Sequence, residues 1–116
     1  MKGFFIYGSP IIELNIENKK LQLLLDTGFN GQIMLPKKLI RNLNLEPIGF
    51  SDYLTVSREK KLTKVYKCKI EFFNETIEMI VLSTDSNFSL AGMELFHKCR
   101  IIIERHKDLI EINKTD

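Results

Sequence analysis

The 116-residue sequence has two cysteines, two histidines, no tryptophan and no long apolar run. Cys68 and Cys99 are too few and too far apart for a disulfide framework or a cysteine metal site. Both read as buried free thiols, which favours a reducing compartment, so a cytoplasmic location is expected. His97 and His106 are isolated in charged company and read as surface residues. No run approaches membrane-spanning length, and Phe4-Phe5-Ile6-Tyr7 is too short for a signal-peptide apolar region. The net charge of +2 gives no electrostatic case for nucleic acid or an anionic membrane as partner. The basic clusters at 58–64 and 98–107 have Glu59 and Glu104 mixed in and read as solvated surface. No metal site and no cofactor is expected.

What is present is β patterning around one apolar core. A length of 116 residues, with 44% apolar and 28% charged, suits a single domain spanning 1–116. Ile11–Ile16 and Leu21–Leu25 form a hairpin across the polar turn Glu17–Lys20. Gln32–Leu35 is a strand, and Pro36 opens a helix with Leu39, Ile40 and Leu43 on one face. Tyr53–Val56 and Leu62–Tyr66 form a long hairpin with a polar tip. Lys69–Phe73 and Thr76–Leu82 form another around Asn74-Glu75. Leu90-Ala91-Gly92 leads into two helical turns, Met93–Cys99, and a last hairpin runs from Arg100–Glu104 to Leu109–Ile112. The expected fold class is all-β, a small closed barrel with one or two short helices.

Chemistry concentrates in Leu23-Leu24-Leu25-Asp26-Thr27-Gly28, an apolar strand that delivers one carboxylate into a turn. Removing a carboxylate from water is costly, so its retention there needs a reason. Gly28 and Gly31 bracket Phe29-Asn30, so Asp26 enters a loop that can afford positive φ twice. The bland reading of Asp26 is a turn residue bonding Gly28 or Phe29 through its own side chain.

The order Leu24-Leu25-Asp26-Thr27-Gly28-Phe29-Asn30-Gly31, a Leu35-Pro36 helix, a long hairpin and Leu90-Ala91-Gly92-Met93-Glu94 resembles the retropepsin-like aspartic proteases, especially single-domain microbial members. The resemblance implies a homodimer in which Asp26 of each chain forms one half of a catalytic pair, acting on a peptide or protein substrate. It further implies that Thr27 bonds across to the partner's loop, with Gly28, Phe29, Asn30 and Gly31 completing the active loop. Leu90, Ala91 and Gly92 would pack behind it. The hairpin carrying Tyr53, Val56, Ser57, Arg58, Glu59 and Lys60 would be the flap. Viral members often place Ala or Ser after Asp-Thr-Gly and have glycine-rich apolar flaps, whereas here Phe29 follows and the tip is charged. Two other functions are compatible with the sequence. One is a non-catalytic retropepsin-like dimerisation or peptide-binding module, and the other is an unrelated β-barrel binding protein.

Overall fold

The computed structural model describes residues 1–54 and 60–115. Its strands are β1 (Lys2–Ile6), β2 (Ser9–Ile16), β3 (Lys19–Leu25), β4 (Ile33–Pro36), β5 (Glu46–Leu54), β6 (Lys60–Phe72), β7 (Glu75–Thr84), β8 (Leu90–Ala91), β9 (Cys99–Glu104) and β10 (Leu109–Lys114). One α-helix, α1 (Lys37–Leu43), follows β4, and 3-10 turns span Met93–Phe96 and Arg105–Lys107. The strands follow the order β5-β6-β7-β4-β8-β3-β2-β1-β10-β9, and a further β2–β6 pairing closes the middle of this sheet into a ring. The fold is the expected all-β barrel.

Alternation explains the ring. Along β2, Ile12, Leu14 and Ile16 are buried while Glu13 is exposed. Leu23 and Leu25 of β3 point the same way, and Ile33, Leu35, Ile70, Val81, Ile110 and Ile112 fill the interior with them. Hairpin register is set by tight turns in which both central residues have positive φ: Tyr7-Gly8, Glu17-Asn18 and Phe73-Asn74. The third turn sits one residue earlier than the expected Asn74-Glu75, because the backbone there must go left-handed at Phe73 and Asn74. β1 was not expected. It is paired to β10 through Lys2 and Gly3, then to β2 through Phe4, Phe5 and Ile6. At Gly3 a Cβ would lie 2.6 Å from the Ile11 carbonyl oxygen, so this transfer between neighbours needs glycine.

Pro36 is the N-cap of α1 rather than its first residue, and Asn44 ends the helix in a left-handed conformation. Ile40 and Leu43 are buried as expected. The helical stretch expected over Met93–Cys99 is cut to one 3-10 turn at Met93–Phe96, which buries Leu95 and Phe96. β9 begins at Cys99 instead.

Cys68 is buried as expected, but Cys99 is only half-buried. Burial, with the Glu17 carboxylate adding to it, pushes the Cys68 thiol up to about 12 from 9.0. An acid whose folded pKa is raised favours folding below its unfolded pKa, and that contribution is lost as pH rises from 9 towards 12. Native protein is therefore expected to leave Cys68 unmodified by thiol reagents at pH 8. In chemical denaturation, the parent should lose stability relative to Cys68→Val by about 1.4 kcal/mol per pH unit above pH 9. A parallel pH dependence in the two proteins would contradict this.

Candidate active site

β3 carries the core residues Leu23 and Leu25 and ends at Asp26, which is half-buried on the loop that follows. The loop is fixed from both sides by main-chain bonds. The Asp26 N–H donates to the Ala91 carbonyl at 2.9 Å, and the Phe29 N–H donates back to the Asp26 carbonyl at 3.2 Å. On the far side, the N–H groups of Gly92, Met93 and Glu94 donate to the carbonyls of Gln32, Phe29 and Gly31 at 2.8, 2.8 and 3.1 Å. β8 lies between β3 and β4, parallel to the first and antiparallel to the second, so Leu90-Ala91-Gly92 sits directly behind the loop. Three successive donors leaving Gly92 match three acceptors on a loop with no ladder of its own.

The Asp26 carboxylate accepts the Gly28 N–H through Oδ1 at 2.9 Å, the turn contact that the bland reading anticipates. Thr27, Gly28 and Asn30 are exposed beside it. Phe29 turns inward instead, buried with Met34, Val65 and Leu82 in a small second cluster against which Leu90 packs. The residue that breaks the viral pattern is thus a packing residue.

Positive φ at Gly28 and Gly31 is not found; the glycines that adopt it are Gly8 and Gly49. The reason for glycine in the loop is close approach. A Cβ on Gly31 would stand 2.5 Å from the Phe29 ring, and one on Gly92 would stand 2.2 Å from the Gly31 carbonyl oxygen and 2.6 Å from that ring. Phe29 is wedged between Gly31 and Gly92; its ring demands the first, and the carbonyl oxygens of the loop demand the second.

Two features escaped the sequence reading. Gln32 clamps a second strand to the loop: its Oε1 accepts the Ile80 N–H at 2.6 Å while its main chain accepts from Gly92. Thr63 and Ser83 form a buried hydroxyl pair 2.7 Å apart, with Thr63 Oγ1 also donating to the Ser83 carbonyl at 2.9 Å. This pair ties the stem of the β5–β6 hairpin to β7. Only the alternation around Thr63 signals it.

Of the expected flap residues, Tyr53 lies in β5 and Lys60 opens β6, while Val56, Ser57, Arg58 and Glu59 lie outside the described residues. The hairpin stem, α1 and the end of β7 enclose a cavity of about 660 Å³ lined by Lys37, Arg41, Phe50, Tyr66 and Asp85. Asp26 does not line it. Among the described residues no group of three or more His, Cys, Asp or Glu side chains is placed to hold a metal ion, and no helix is long and apolar enough to cross a membrane.

No protein-family profile and no curated protein matches the sequence. Solved structures do match the fold. A retropepsin-like aspartic protease from Rickettsia conorii superposes with a TM-score of 0.73 at 23% identity, over 99% of this chain and 89% of that one. The EIAV protease complexed with the inhibitor HBY-793 gives 0.67 at 18% identity, over 81% of this chain and 90% of that one. The Simian Foamy Virus (mac) protease gives 0.54 at 20%, over 72% and 88%. The fold is retropepsin-like, and these structural neighbours are proteases.

Proposed function

We propose that this protein is a homodimeric aspartic endopeptidase in which the Asp26 carboxylates of two copies activate one water against a peptide bond. The observation that carries the reading is the placement of Asp26. In a retropepsin-like fold, the carboxylate leaves the end of β3 on a loop held by five main-chain hydrogen bonds yet remains half-exposed. One such carboxylate is a weak base with nothing to polarise a carbonyl. Two related by a two-fold axis repel each other enough to share a single proton.

That shared proton divides the labour. The ionised member takes a proton from the water as it attacks the peptide carbonyl carbon, and the protonated member gives its proton to the carbonyl oxygen. The first carboxyl then passes its new proton to the amide nitrogen while the second takes a proton back from the gem-diol, so the C–N bond breaks, acid and amine leave, and the pair returns to its starting state. Gly28, with no side chain and an N–H already on Asp26 Oδ1, fixes the carboxylate while leaving room for the substrate backbone. The exposed Thr27 hydroxyl bonds across to the partner's loop, and the β5–β6 hairpin is the flap that covers a peptide or protein substrate.

A second reading keeps the fold without hydrolysis, as a dimerisation or peptide-binding module. The Gly28–Asp26 bond favours it, since a turn alone would explain that contact.

Cleavage of a mixed peptide library, followed by mass spectrometry, tests the proposal. The initial rate should rise as the square of protein concentration where dimers are scarce and become linear where they saturate. Its pH profile should be bell-shaped, both limbs belonging to the pair rather than to one residue. Absence of cleavage at every concentration and pH, or full activity in protein that sedimentation shows to be monomeric at the assay concentration, would defeat it.

A further inference from the structure

We infer that β9 is the seam between two copies of this chain, pairing antiparallel with its own symmetry mate in the register centred on Ile102. This rests on the paired-Asp26 reading and names the surface that brings the pair together.

β9 is the last strand in the sheet order, bonded to β10 on one side and to no other strand among the described residues. The opposite end of the sheet, β5, is a poor edge for pairing. It contains Pro47, and its ladder is broken by a bulge between Pro47 and Gly49. Nor is β1 available for exchange with a partner, because it is already held by β2 and β10 of its own chain.

The sequence of β9, Cys99-Arg100-Ile101-Ile102-Ile103-Glu104, is palindromic in character. Two-fold antiparallel strands place one residue opposite itself, so the centre can be Ile101, Ile102 or Ile103. Only the centre at Ile102 sets Arg100 opposite Glu104 of the other copy, and it does so twice. Arg100 is exposed and makes no ion pair among the described residues, whereas Glu104 has only the exposed Lys107, at 3.4 Å.

The faces agree with this register. Pairing with β10 puts Ile101 and Ile103 on the side of Ile112 and Ile110, both fully buried. Ile103 nevertheless remains 44% exposed, an apolar residue of the core face left partly open to solvent. In the Ile102 register it meets Ile101 of the mate, extending the buried layer across the seam, while the charge pairs and Ile102 lie on the outer face.

β9 is also coupled to the active loop. Gly92, Met93 and Glu94 bond that loop, Leu95 and Phe96 are buried, and β9 starts three residues after Phe96. A two-fold axis at Ile102 therefore relates the two Asp26 loops through one short, anchored connection on each side.

Charge reversal tests the register. Sedimentation equilibrium of Arg100→Glu and of Glu104→Arg should show dimer Kd raised about tenfold to a hundredfold each, since attraction becomes repulsion at both symmetric sites. The double variant R100E/E104R should return to within a few-fold of the parent. A one-to-one mixture of the two single variants should do the same, because a heterodimer again sets opposite charges face to face. That recovery also shows that each single variant is folded. A dimeric parent whose single variants associate as tightly as it does, or whose losses neither the double variant nor the mixture restores, overturns the seam and leaves the paired site standing. A parent that is monomeric at about 100 μM overturns the paired site itself, and the seam with it.

Discussion

Asp26→Asn is expected to reduce peptide hydrolysis by about ten-thousand-fold or more while leaving the fold and the dimer at least as stable as the parent. The amide keeps the size of the carboxylate, and its oxygen can still accept the Gly28 N–H. What it removes, in the proposed pair, is the charge that two copies would confine near one axis, a burden tolerated for chemistry rather than for folding. In the proposed mechanism it also removes the group that takes the water proton. Mixing adds a sharper result. With equal amounts of parent and variant, about a quarter of the dimers carry two aspartates, so activity should fall below the half expected from dilution alone. Peptide cleavage and thermal unfolding of the variant and the mixture provide the check. If Asp26→Asn unfolds the protein or cleaves like the parent, Asp26 is a turn residue and the hydrolytic assignment fails. If folding and dimerisation persist but the parent itself never cleaves, the dimerisation-module reading takes its place.

Gly92→Ala is expected to have the largest effect on stability, about 3 kcal/mol, with a melting temperature lower by roughly 10 °C or more. The added methyl would stand 2.2 Å from the Gly31 carbonyl oxygen and 2.8 Å from that of Phe29, the latter oxygen already accepting the Met93 N–H. Neither obstacle is the free end of a flexible side chain. The backbone must move, and the bonds from Gly92 and Met93 stretch with it. Gly28→Ala makes the contrast, since its methyl would meet only Asp26 Oδ1, at 3.3 Å. It should melt within a few degrees of the parent yet cleave more slowly, because the displaced group is the carboxylate. Comparable melting temperatures for the two alanine variants would refute this account of the loop.

The alternating segments were legible in the sequence because period-two burial writes itself into residue choice. The β2–β3 and β9–β10 hairpins stand where that pattern places them. Asp26 was legible as an apolar run stopping abruptly at a carboxylate, whereas the place of Leu90-Ala91 beside it was expected only from the resemblance to retropepsin-like proteases. Less was readable where the deciding contact is distant. β1 owes its pairing to strands on either side of it, one at the far end of the chain. The start of β5 at Glu46 runs through Pro47 and Gly49, which local propensity reads as a break, and pairing with β6 overrides it. The glycine-rich loop could afford positive φ, whereas Gly31 answers to the bulk of Phe29, a three-dimensional fact that spacing does not encode. The helix expected after Gly92 is cut to one turn because Cys99, within the expected span, is already paired with Lys114 at the start of β9.

The enclosure of β1 within its own chain has a consequence for how mutations reach the cell. Because that strand completes the chain's own sheet without borrowing from a neighbour, charge changes at Arg100 or Glu104 of β9 should leave an intact, folded chain. Quality control triages proteins by the fraction unfolded and would find little to recognise in such variants. Lesions in the Phe29–Gly92 wedge would instead be cleared as misfolded protein. Two classes of inactive allele should therefore differ in abundance: seam alleles accumulating at parental levels, and wedge alleles disappearing.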